Sequence, residues 1–221
     1  VADVRLSAAR VLVSLYNNDD ARARLDMFSQ RFKPRMMEML CDKDDRAASC
    51  ALDLALALHS MQLLDEADYE RAYALINDQH PVLRRSAGRF VAEVVMAPVT
   101  DAAGQVRALL TFIVEKTAMP NMPQYVVDGV WAHTRSLRNW AVLVELLNSA
   151  ADQLTPAETT ACVLVLLSAA RLAQGLPLSN SAGGDAKSSL KPAEREVVRQ
   201  ALTTALTCPV NSGSLQKASR A

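Results

Sequence analysis

The apolar positions of this 221-residue chain fall at helical spacing over most of its length. Between Asp3 and Tyr16, Val4, Ala8, Val11, Leu12 and Leu15 stand at i, i+4, i+7, i+8 and i+11, one stripe of a 3.6-residue helix. The stripe returns 43 positions on at Ala47, Ala51, Leu54, Ala55 and Leu58, and 36 further at Leu83, Ala87, Phe90, Val91 and Val94. A small residue holds the second place each time (Ala8, Ala51, Ala87), where it lets a neighbouring helix approach closely. Between the stripes, one or two helices are predicted over 18–42 and another over 65–79. Downstream, helices are predicted over 102–117, 124–136, 138–150 and 156–173. The last opens on a capping box, with Thr155 at N-cap, Pro156 at N1 and Glu158 at N3. No convincing strand or hairpin turn interrupts this pattern.

A period of 36 to 43 residues built from helix pairs is the signature of HEAT-type repeats. The expectation is an all-α fold, an α-solenoid of stacked antiparallel helix pairs, in which each pair buries its apolar face only against its neighbours. The solenoid is expected over 1–174. The Gly-, Ser- and Pro-rich stretch 175–191 reads as a flexible loop, 192–207 as a helix continuing the solenoid, and 208–221 as a disordered tail. The chain opens on Val1-Ala2-Asp3 without an initiator methionine and is read as a stretch of a longer protein.

Composition supports helix, since half the residues are hydrophobic while only seven are glycine. The charges cancel, 24 basic against 24 acidic, so nucleic-acid binding would have to come from local clusters. The longest apolar run, Ala161 to Leu167, is far short of the roughly 20 residues of a membrane span, and no membrane partner is expected. Cys41, Cys50, Cys162 and Cys208 form no C-x-x-C pair and read as reduced, buried thiols. His59, His80 and His133 are scattered, and no glycine-rich phosphate loop, G-x-S-x-G or H-E-x-x-H is present. No catalytic residue, metal site, cofactor or small-molecule substrate is therefore assigned. Acidic pairs such as Asp42/Asp44 fall between helices and read as caps.

Two features remain as candidate binding chemistry. Arg22, Arg24, Arg31, Lys33 and Arg35 place five cations within fourteen residues, opposed locally by Asp26, and Arg84, Arg85 and Arg89 form a smaller group. Such clusters are either solvated helix faces or contacts to phosphates. The second feature is FSQRFKPRMMEML, residues 28–40. Phe28, Phe32, Met36 and Leu40 follow at i+4 steps, which favours a core stripe. Pro34 is expected to end or kink the helix, leaving Phe32 at a groove edge among Arg31, Lys33 and Arg35. Spacing leaves both readings open.

VRLSAARVLVSLY (4–16) followed by MFSQRFKPRMMEMLCDKD (27–44) resembles the stromalin family of cohesin subunits, the stromal antigen proteins. HPVLRRSAGRF (80–90) and YVVDGVWAHTRSLRNWAVLVELL (125–147) agree in the same order. The resemblance, over roughly 1–150, implies a non-catalytic HEAT-repeat scaffold of the cohesin ring. Its implied partners are the kleisin subunit, DNA or chromatin, and regulators carrying short aromatic motifs. Its implied place is the chromosomes of the nucleus, in sister chromatid cohesion. By the same resemblance Phe32 and Phe28 match aromatics of the surface that receives those motifs, and that surface's tryptophan would precede Val1. Arg31, Lys33 and Arg35 would form a basic rim or touch DNA phosphates. Pro34 and the Asp45-Arg46-Ala47-Ala48-Ser49 helix start depart from the family pattern. The alternative is a HEAT-repeat transport or assembly adaptor, karyopherin-like and without DNA binding.

Overall fold

Short polar side chains set many of the helix starts. Asn18, Asp44, Asp65, Asp101 and Thr155 each accept a hydrogen bond from a backbone N–H two or three residues on, and each opens a helix. The computed structural model describes residues 2–116, 122–148 and 154–175, together with Arg199 and Thr203. These residues hold ten α-helices and no strand. In order they are α1 (Ala2–Tyr16), α2 (Asp19–Arg24), α3 (Asp26–Glu38), α4 (Asp45–Ser60), α5 (Glu66–Ala74), α6 (Pro81–Val91), α7 (Ala102–Lys116), α8 (Met122–Val130), α9 (Trp140–Asn148) and α10 (Pro156–Ala173). Single 3₁₀ turns follow α3 and α5 at Met39–Cys41 and Leu75–Asn77, and a π-helical turn follows α6 at Ala92–Met96. The fold is the expected all-α helical repeat. The loop 175–191, the helix 192–207 and the tail 208–221 lie outside the described residues, apart from Gly175, Arg199 and Thr203.

The chain divides into two units, Val1–Val94 and Val95–Ala221. In the first, α4 packs against α1 on one side and α6 on the other, while α3 packs on α4 and α5 on α6. The predicted stripes of α4 and α6 are buried at Ala47, Ala51, Leu54, Ala55 and Leu58 and at Leu83, Ala87, Phe90 and Val91, while Val94 is half-buried in the π-helical turn beyond α6. Polar side chains meet at the repeat spacing. Arg46 bonds Asp3 across 43 residues, Ser49 bonds Ser86 across 37 and Arg89 bonds Asp53 across 36. Arg5 grips the Asp42 carboxylate with two N–H groups, one at 2.7 Å.

The α1 stripe is a correction. Leu6, Ala9 and Tyr16 are buried, whereas Val4 and Val11 are 66% and 60% exposed and Ala8 and Leu15 are exposed too. The sequence of α1 carries two overlapping apolar faces. Its neighbours α2 and α4 cover only the one that holds Leu6, Ala9 and Tyr16.

In the second unit, α10 packs against α7, α8 and α9. Its 18 residues are long and apolar enough to cross a membrane, but more than half of that stretch is buried inside the protein, as in a central core helix. Its capping box forms as predicted, with Thr155 Oγ1 accepting from Glu158 N and Thr155 N donating to Glu158. The predicted helix 124–136 stops at Val130, and the next begins at Trp140. Between them the N–H groups of Trp131, His133 and Thr134 fold back onto the carbonyls of Val127 and Val130, and Ser136–Arg138 makes one 3₁₀ turn. No glycine or proline lies between Val130 and Trp140 in the sequence.

Candidate functional site

Helix α3 carries the candidate binding residues. Leu25 precedes it without a side-chain cap, and the Ser29 hydroxyl donates back to Leu25 O at 2.7 Å. Ser29 also shares a 2.6 Å hydrogen bond with the Tyr16 hydroxyl. This buried pair fixes the inner face of α3 against α1. Met36 and Met37, with Leu40 just beyond, complete that inner face.

The helix does not end at Pro34, contrary to expectation; it continues for four residues to Glu38. Proline removes one donor and crowds the carbonyl four residues back, a cost of about 3 kcal/mol. Burial of Met36, Met37 and Leu40 beyond it, each able to contribute about 1.5–3 kcal/mol, holds the segment helical. Even so, the environment changes at that point. Phe28 is half-buried and Phe32 is 41% exposed, while Met36 and Leu40 are core.

Phe28 and Phe32 form a tilted ring pair with centroids 4.6 Å apart. The guanidinium of Arg31 lies 5.7 Å from the Phe32 centroid, within cation–π reach. Met27, 80% exposed, adds apolar surface at the start of the same helix. The result is an exposed aromatic platform with one cation at its edge.

The other two rim residues are engaged. Lys33 Nζ donates to Asp65 and Asp68, each at 2.7 Å. Those two aspartates are the N-cap and N3 residues of a reciprocal capping box on α5. The hydrogen bonds to Asp65 and Asp68 push the Lys33 ammonium above its ordinary pKa, and Lys33 holds the Asp65 carboxyl below the usual range. Arg35 pairs with Glu38 at 2.7 Å, an exposed contact of little energetic weight. Sequence counted Asp26 as the only local counter-charge; the fold brings Asp65 and Asp68 to Lys33 from 32 and 35 residues away.

The second basic group also divides. Arg84 is buried, donating to the carbonyls of Asp78 and Gln79 beside the Leu75–Asn77 turn, and is no surface cation. Arg89 pairs with Asp53 at 3.0 Å. Among the described residues no group of three or more histidines, cysteines or carboxylates is placed to hold a metal. His59 meets the Tyr69 hydroxyl at 2.8 Å and His80 lies 3.5 Å from Asp45. Cys50 and Cys162 are buried thiols, and burial pushes both above their ordinary pKa, Cys162 to about 11; Cys41 is exposed, contrary to expectation.

No family model matches the chain. Curated relatives do. The cohesin subunit SA-3 of Rattus norvegicus is 30% identical over 214 residues, covering 88% of this chain and 17% of the relative. The human cohesin subunit SA-3 is 31% identical over 190 residues, 77% of this chain and 15% of the relative. The chain belongs to the stromalin family of cohesin subunits. The sister-chromatid cohesion protein 3 of Arabidopsis thaliana is similar as well, 28% identical over 79% of this chain. This stromalin chain spans 17% of the length of the rat and Arabidopsis relatives. The rat alignment extends over 214 residues, beyond the 150 or so at which the recognised motifs end.

Proposed function

We propose that this chain is part of a non-catalytic cohesin scaffold that binds the kleisin subunit and chromatin in the nucleus, acting in sister chromatid cohesion. Its similarity to proteins named as cohesin subunits supports the coarse role. A helical repeat stack suits a scaffold, because it presents a long surface assembled from many short elements. The observation that carries the finer reading is the exposed Phe28–Phe32 pair with Arg31 at its edge. Together they suit a short partner segment bearing aromatic and acidic side chains. In this reading Phe28 and Phe32 contact the segment and Arg31 meets its carboxylate. Lys33 and Arg35 complete the rim, and an incoming carboxylate or DNA phosphate competes with the aspartates and the glutamate they now hold.

The test is binding of a fluorescent aromatic-x-aromatic peptide to the full-length protein. Phe32→Ala is expected to weaken it at least about tenfold while the thermal midpoint moves little. Unchanged affinity in a folded Phe32→Ala protein sinks the aromatic-pair reading. Co-purification with the kleisin subunit tests the scaffold role separately, and a folded full-length protein that fails to retain kleisin would overturn it.

A further inference from the structure

A second surface lies on the first unit, away from the aromatic pair. Two neighbouring hollows, both lined by Val13 and Asp53, follow one another along α4 from Arg46 to Ser60 as a groove bordered by residues of α1 and α6; neither Phe28 nor Phe32 lines it. The fourteen steps of helix from Arg46 to Ser60 span about 21 Å, a length that about six residues of extended chain would follow. One end has apolar walls made by Leu6, Val13, Cys50 and Val82, of which Val82 is 49% exposed.

The charges along this groove are unequal in their state. Arg22 is held by Asp19 at 2.8 Å, Arg46 by Asp44 at 2.8 Å and Arg89 by Asp53 at 3.0 Å. Arg10 lines the apolar end and makes no hydrogen bond or ion pair to any described residue. A partner's carboxylate therefore finds an uncompensated guanidinium there. Asp53 is already committed to Arg89, and Glu93, which lines the far end of the groove, is the acidic side chain that a partner's ammonium would meet.

We propose that this groove takes an extended segment of a partner protein, with an apolar side chain seated among Leu6, Val13, Cys50 and Val82 and a neighbouring carboxylate on Arg10. An extended chain alternates its side chains between two sides, so an acidic residue next to an apolar one reaches the rim as its neighbour enters the floor. The site is independent of the aromatic pair and of what that pair binds.

Fluorescein-labelled octapeptides of alternating Leu and Glu, Leu and Gln, and Leu and Lys probe the groove by fluorescence anisotropy. The Leu/Glu peptide is expected to bind about tenfold or more tighter than the Leu/Lys peptide. Arg10→Glu is expected to remove that preference, Arg10→Lys to keep most of it, and Phe32→Ala to leave it unchanged. Because Arg10 is exposed and makes no hydrogen bond or ion pair to a described residue, circular dichroism melts of the Arg10 variants should lie close to the parent. Equal binding of the Leu/Glu and Leu/Lys peptides overturns the proposal, as does a preference that survives Arg10→Glu. Displacement of the Leu/Glu peptide by a 20-nucleotide oligothymidylate that itself depends on Arg10 would assign the groove to nucleic acid and overturn it equally.

Discussion

Phe32 and Met36 sit one helical turn apart on α3, yet their loss should be felt differently. Met36 is 3% exposed and packs beneath the Tyr16 hydroxyl, whose oxygen lies 3.9 Å from its sulfur. Truncating it opens a cavity and should cost about 2–5 kcal/mol. Phe32 is 41% exposed and rests on Phe28, so Phe32→Ala should cost about 1 kcal/mol or less. Chemical denaturation of the two variants checks this, and a Phe32 cost as large as that of Met36 would return Phe32 to the core. A second residue-scale expectation concerns Gln62, the C′ residue of α4, at φ 58°. Gln62 N bonds His59 O and Leu63 N bonds Leu58 O, a Schellman motif that favours glycine at this place. The left-handed conformation costs a side-chain-bearing residue about 1–2 kcal/mol, part of which glycine loses again as chain entropy. Gln62→Gly should therefore raise stability by about 0.5–1 kcal/mol, read as a higher denaturant midpoint with an unchanged slope.

At the scale of elements, charged pairs hold helices of different repeats together, and their pH dependence has a definite sign. The side-chain bond from Arg5, aided by the N–H of Asp44, lowers the Asp42 carboxyl from 3.8 to about 2. A depressed folded pKa contributes stability that is fully present above the unfolded value, near 4, and is lost as pH falls toward 2. Asp42→Asn should thus be less stable than the parent at pH 7, and the gap should close between pH 4 and pH 2. Urea midpoints at pH 7, 4 and 2.5 measure it, and a gap that stays constant would deny the Arg5–Asp42 bond this role. The same elements show what could be read from the chain. Capping at Asp44 and Thr155 was legible because donor and acceptor lie within three residues of each other. The partners of Lys33 were not, because Asp65 and Asp68 meet it only after α5 has packed into its repeat. Pro34 was legible as a local strain but not in its outcome, which tertiary burial on its C-terminal side decides. Arg84 looked like a surface cation because Arg85 and Arg89 stand near it in sequence, yet two backbone carbonyls draw it inside.

At the scale of the whole chain, apolar stripes report how many neighbours a helix can have, and the fold decides how many it does have. α4 carries buried residues on both its α1 and α6 sides, while α1 keeps Val4, Val11 and Leu15 in solvent. In a repeat stack each helix draws its stability from its immediate neighbours, so protection should be graded within the first unit. Amide hydrogen exchange should be slowest in the middle of α4 and faster in α1, since local opening of α1 breaks contacts on one flank only. Substitution should follow the same grading. Leu54→Ala, at a site with no exposure, should cost about 2–5 kcal/mol, whereas Val11→Asp should change stability by about 0.5 kcal/mol or less. If α1 and α4 exchange at one common rate, the unit opens only as a whole. A large loss from Val11→Asp would then show that the outer face of α1 is covered in solution, and the stack would extend past α1.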